Sequence, residues 1–177
     1  MKEKGKNKKK KRLEIIIYVI CGIILTYSIT VIILHIAFGL YDVEGTSMYP
    51  TFKGDGSERV IFSTKKNPKI GDIVAIETDQ GNIIKRVIAG PGDVVNAKDG
   101  IIYVNGEPTP YQREKLVGTY KFLNETGYII EEGKYYCLGD NLNNSGDSKY
   151  YGSYDRNKMK VITKCIRAPF KIPKWIL

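Results

Sequence analysis

A single histidine, His35, stands in the 177 residues, and it lies inside an apolar run. A Ser-His-Asp triad, a Cys-His pair and a His-based zinc site each need an imidazole, so none can be assembled in the part of the chain that follows that run. Serine alone is a weak nucleophile, and here its base would have to be a carboxylate or a lysine. Ser47 sits in VEGTSMYPT (43–51), where Gly45 permits tight curvature and Pro50 fixes the chain just beyond. Such a loop exposes Oγ and aims the Ser47 N–H at a developing oxyanion. A polar turn joining two segments would have the same composition. Lys85 sits in IIKRVIAG, whose strand alternation puts Ile83, Lys85, Val87 and Ala89 on one face. Burial among those neighbours would disfavour the ammonium and make the amine a general base; the alternative is a lysine that snorkels over them into solvent. Arg86 faces the other way and keeps its proton. GDNLNNSGDS (139–148) has the polar look of a calcium loop, but Leu142 stands at a ligand position and the turn glycine is displaced, so no metal is expected there.

These residues must be positioned by two very different pieces of chain. Ile15–Leu34 contains no charged residue and matches the roughly 20 apolar residues that a helix needs to cross hydrocarbon. A cleaved signal sequence would have a shorter apolar core and a small-x-small site after it, and neither is present. The first twelve residues, MKEKGKNKKKKR, hold eight basic side chains and one Glu, while the other 165 carry 20 basic and 18 acidic ones. The formal charge of +9 is therefore a tail, and nucleic acid is not an expected partner. Basic residues favour the cytoplasmic side, which predicts a cytoplasmic tail (1–12), a membrane anchor (13–40) and an exported domain (41–177) in a single-pass cell-membrane protein. The tail can also hold anionic lipid headgroups. Cys137 and Cys165 fall in the exported part, where a disulfide and two buried thiols are equally open readings. The C-terminal APFKIPKWIL (168–177) reads as a closing strand and packing tail, or as a segment dipping into the interface.

The exported part shows short β-rich runs between turn residues and no helical period. Ile73–Glu77 and Ile83–Ala89 read as a hairpin, Gly90–Asp93 as a reversal, and Asn105-Gly106 as a two-residue type I′ turn. Strand pattern also marks 59–63, 134–140 and 160–170. Residues 107–132 are more polar and read as irregular, within a smaller insertion at about 97–133. The expectation is a mainly β, antiparallel, coiled barrel-like domain carried on one helix.

Taken together, TSMYPT (46–51), GDIV (71–74), KRVIAGPGD (85–93) and GDNLNNSGDSKYYG (139–152) resemble bacterial type I signal peptidase in residue type and order, over about residues 13–169. The single span and compact insertion are more similar to the smaller Gram-positive enzymes. The resemblance implies a membrane-bound serine endopeptidase that removes signal peptides from translocated preproteins through an acyl-enzyme. Ser47 would be the nucleophile and Lys85 the general base, with no cofactor and no metal. Ser145 would hydrogen-bond the lysine amine, and Asp147 would brace the site through Lys149. Asp140 and Asn141 would be turn ligands, while Met48 and Pro50 would shape the substrate site. Substrates would carry small residues one and three positions before the cut and bind as an added β-strand. The translocation machinery is a further implied partner. Three positions depart from the common pattern: Leu142 and Lys149 stand where many relatives have Arg, and Gly45 where some have Ser. Lys149 lacks the bidentate guanidinium fork, which predicts a weaker brace. The second oxyanion donor would then be Thr46, a backbone amide or a water. Two rival readings are a self-cleaving Ser-Lys repressor, disfavoured by the lack of a DNA-binding head, and a non-catalytic membrane-tethered module.

Overall fold

The computed structural model describes residues 2–38, 41–63 and 67–167. The chain divides into two units, residues 1–39 and 40–177. The first is one helix, α1 (Lys2–Phe38), which begins within the basic tail. It contains Lys11–Ile32, 22 residues long and apolar enough to cross a bilayer, with the window unburied. The Thr26, Ser28 and Thr30 hydroxyls donate to carbonyls one turn back at 2.8–2.9 Å. Their polar groups are thus satisfied within the helix, as hydrocarbon demands. His35 lies on this helix.

The second unit is built from two antiparallel sheets. The larger holds β1 (Tyr41–Glu44), β2 (Asp55–Ser63), β3 (Ile73–Thr78), β4 (Gly81–Ala89), β9 (Lys134–Leu138), β10 (Tyr154–Asp155) and β11 (Met159–Arg167). Their spatial order is β1-β2-β11-β3-β4-β9-β10. The smaller sheet holds β5 (Val94–Lys98), β6 (Ile101–Val104), β7 (Glu107–Pro108) and β8 (Tyr128–Ile129), in the order β7-β6-β5-β8. The β3–β4 hairpin forms where period-two alternation places it, with Val74 opposite Lys85 and Ile76 opposite Ile83. Asn105 and Gly106 both take positive φ, 53° and 86°, and turn β6 into β7.

Apolar alternation sorts the core. One face of the larger sheet buries Val74, Ile76, Val87, Cys137, Met159 and Val161. Another cluster, Val43, Met48, Phe52 and Val60, lies beside Ile73, Ile84 and Ile162. The segment that reads as irregular, 107–132, supplies β7 and β8 and buries Leu116, Leu123 and Ile130 against the smaller sheet. Residues 142–144 form a 3-10 turn and Ser148–Tyr151 a single helical turn, α2, too short to leave a period in the sequence. Cys21, Cys137 and Cys165 are free thiols, which resolves the disulfide alternative: Cys137 is buried on β9 and Cys165 exposed on β11. The C-terminal segment 168–177, and with it the closing-tail reading, lies outside the described residues.

Candidate active site

The loop from Gly45 to Gly54 is closed at its neck by Gly45 N donating to Gly54 O at 3.0 Å. The two backbones cross so tightly that a Cβ on Gly54 would lie 1.9 Å from Gly45 O. Inside the loop, Tyr49 N donates to Thr46 O and Phe52 N to Met48 O, each at 3.0 Å. Met48 is buried, pinned among Val43, Phe52 and Val60. Burying Met48 turns its neighbour Ser47 toward the domain surface, half-buried. Pro50 is exposed beyond it.

Lys85 on β4 is only 3% exposed, so the buried alternative holds and the snorkelling one does not. Its Nζ donates to Ser47 Oγ at 2.8 Å and to Ile84 O at 3.0 Å. Desolvation pushes the amine below its ordinary lysine value, against the opposing pull of the Asp147 carboxylate; the Lys149 charge pushes it further down. Once the amine is neutral, the same contact can run in reverse, with the serine hydroxyl donating to the nitrogen lone pair.

Ser145 departs from expectation. Its hydroxyl is buried but has no hydrogen-bond partner among the described residues, and the lysine amine uses Ser47 Oγ and Ile84 O instead. Packing and a backbone bond hold Ser145 where it is. A Cβ on Gly139 would lie 2.3 Å from Ser145 Oγ and 2.5 Å from Ser47 O, so the bare Gly139 backbone separates the two serines. The Ser145 carbonyl in turn accepts from Lys149 Nζ at 2.5 Å.

Asp147 and Lys149 pair as the sequence suggests, both wholly excluded from solvent. Lys149 Nζ lies 3.1 Å from each Asp147 carboxylate oxygen. Asp147 also accepts from Gly139 N at 3.0 Å and from Lys149 N at 3.2 Å. The ammonium lies over the Tyr120 and Tyr150 rings, 5.5 and 5.0 Å from their centroids. Ring faces thus supplement the carboxylate where a guanidinium would use its breadth.

Asp140 and Asn141, expected only as turn ligands, reach further than that, and Asn144 and Arg86 join them without having been assigned a site role from the sequence. Asn141 N donates to Ser47 O at 3.0 Å, and Asn141 Nδ2 to Thr46 O at 3.1 Å. Asn144 Nδ2 donates to Thr46 Oγ1 at 3.1 Å. Asp140 receives two 2.7 Å bonds from Arg86, which raise the arginine pKa further, and a third from Thr51 Oγ1. Arg86 also donates to Gly71 O at 2.8 Å, which gives it a positioning task that its strand face alone did not suggest. Gly139 was missed too; a glycine directly after a buried strand was the available signal.

For an oxyanion, the Gly45 amide is already committed to Gly54 O. The Ser47 amide donates to no acceptor among the described residues. The Thr46 hydroxyl accepts from Asn144 and retains its own proton to donate. A cleft of about 260 Å³ runs from the dyad between β1 and residues 82–85 of β4. Among the described residues, β1 is laddered on its β2 side and β9 meets β4 only from Arg86 onward, so residues 42–43 of one wall and 82–85 of the other each keep one ladder side open.

The family model for "Signal peptidase, peptidase S26" matches residues 13–166. A signal peptidase I of Bacillus licheniformis is 35% identical over 182 residues, covering 95% of each chain. Signal peptidase I T of Bacillus subtilis is 37% identical over 143 residues, covering 72% of each. A crystal structure of a signal peptidase I from Enterococcus faecalis is 26% identical with a TM-score of 0.46, covering 56% of this chain and 98% of that one. The match runs from the apolar helix through the nucleophile loop to β11, and the chain belongs to the signal peptidase family, peptidase S26.

Proposed function

We propose that this membrane serine endopeptidase cuts signal peptides from translocated preproteins with Ser47 as nucleophile and Lys85 as general base. The reading is supported above all by the 2.8 Å contact between a serine hydroxyl and an amine 3% exposed. Ser47 Oγ attacks the scissile carbonyl as neutral Lys85 takes its proton. The Ser47 amide, with the Thr46 hydroxyl as second donor, faces the tetrahedral oxyanion. Lys85 then returns the proton to the leaving amine, which departs with the mature protein and leaves the signal peptide esterified to Ser47. The freed amine next takes a proton from water, the hydroxide hydrolyses the ester, and Ser47 is restored.

The signal peptide enters as an added strand between β1 and residues 82–85, where residues 42–43 and 82–85, laddered on one side only among the described residues, offer further ladder bonds. Met48 shapes that cleft beside Ser47, and Pro50 fixes the loop beyond it. Asp147, Lys149 and Ser145 hold the wall behind the dyad, and Gly45 sets the loop neck. The basic tail faces the cytoplasm and anionic lipid, and the peptidase unit works outside the cell membrane beside the translocation machinery. Tethering both enzyme and signal peptide to one bilayer raises their effective concentration.

The test is digestion of a purified preprotein by the full chain in detergent, with Ser47→Ala alongside. Cleavage at the signal-peptide junction by wild type alone is expected. Equal cleavage by the variant would remove Ser47 from the chemistry.

A further inference from the structure

A second hollow, of about 410 Å³, lies beside the substrate cleft. Ile83 lines both. Gly146 lines the hollow and directly follows Ser145, whose hydroxyl shares the flank of Gly139 with the Ser47 carbonyl. A peptide whose signal half fills the cleft must carry its other half past the dyad, and this hollow reaches Gly146, one residue beyond Ser145. Tyr151 and Tyr154 also line it, the first of them 68% exposed. Tyr154 keeps a buried hydroxyl with no partner among the described residues. Among the described residues that line the hollow, Glu77, Asp79 and Asp155 stand against one ammonium, Lys158. The local charge is therefore negative on a domain whose whole chain is basic.

We propose that this hollow receives the first residues of the mature segment, on the leaving-amine side of the cut. Its acidic rim favours lysine or arginine there over glutamate or aspartate. The inference rests on the peptidase reading and adds a specificity determinant on the product side. Each exposed charge pair contributes a factor of up to about five in affinity, and salt screens it.

The experiment uses the full chain in detergent and two preprotein peptides that differ only at the second and third positions after the cut, Lys-Lys or Glu-Glu. The expected Lys-over-Glu ratio of kcat/KM is about fivefold and falls toward unity near about 1 M salt. The charge reversal Glu77→Lys/Asp79→Lys/Asp155→Lys inverts that ratio. The same charges placed before the cut give a ratio that the reversal does not move. Because each ratio is taken within one preparation, a loss of folded protein cancels. Single Glu77→Lys and Asp155→Lys variants move the ratio in the same direction by smaller factors if the triple variant does not fold. A ratio that is flat in wild type, unmoved by reversal, or moved alike for both placements overturns the inference while leaving the peptidase reading intact. Failure of wild type to cut either peptide removes that reading and the inference with it.

Discussion

Gly139 and Ser145 touch across the back of the dyad so closely that one added carbon on Gly139 would lie 2.3 Å from the Ser145 hydroxyl oxygen. The same carbon would meet the Ser47 carbonyl at 2.5 Å, and backbone cannot step aside as a flexible side-chain tip can. Gly139→Ala should therefore shift the nucleophile loop, lowering kcat at least tenfold and stability by about 1–3 kcal/mol. Preprotein digestion and thermal unfolding of the variant read both effects; unaltered kcat would show that the loop tolerates displacement.

Ser47→Ala removes a half-buried hydroxyl and leaves Met48, the residue that anchors the loop, in place. Its unfolding midpoint should stay within a few degrees of wild type while turnover drops by several orders of magnitude, as for other serine nucleophiles. Lys85→Met keeps the volume of the base and should lose turnover to the same extent. Far-UV circular dichroism with single-turnover kinetics separates lost chemistry from lost fold.

Acid should silence the enzyme. Desolvation lowers the Lys85 pKa, so the amine is neutral at lower pH than an ordinary lysine, yet still protonates as pH falls. The kcat/KM profile should rise with pH through that lowered value, and Ser47→Ala should flatten it. Stability carries the matching sign. Between the lowered native pKa and the ordinary unfolded one, the unfolded chain binds more protons at this site, so this contribution to stability increases with pH across that window. Lys85→Met should consequently gain most over wild type below the window and lose its advantage in alkali. Denaturant titrations at several pH values measure the gap; one that widens with pH would contradict desolvation as the cause.

Breaking the Asp147–Lys149 pair should cost more than exchanging it. Both side chains are wholly buried, and removing one leaves the other's charge without its partner. Asp147→Asn or Lys149→Met alone should destabilise by about 3–5 kcal/mol, and the double variant by clearly less than their sum. A double-mutant cycle from urea unfolding gives the coupling, and full additivity would argue that the ion pair contributes nothing.

How much of this was readable beforehand follows from the range of each interaction. The β3–β4 hairpin and the buried face of Lys85 are written in period-two alternation, and the β6–β7 turn in Asn105-Gly106, all local signals. The membrane-length part of the helix declares itself by the uncharged run Ile15–Leu34, but nothing in the basic tail announced that the helix begins at Lys2. Asn144 and Arg86 act through bonds spanning 98 and 54 positions, with no pattern to betray them, and Asn141, named only as a turn ligand, bonds across 95. Leu116, Leu123 and Ile130 are spaced too irregularly to show that they share a core. The Ser145 role was legible only through resemblance, and the geometry returned different partners for the amine.

The Asn141 bonds to Ser47 and Thr46 have a wider meaning. β4 carries the base, β9 is laddered to β4, the turn leaving β9 grips the nucleophile loop, and that loop meets the base again. The reacting atoms thus sit on a closed circuit of short bonds, 38 positions apart in the chain but few links apart in space. Such a circuit cannot loosen gradually. Under rising urea the peptidase should keep its full rate until the domain itself melts, then fail all at once.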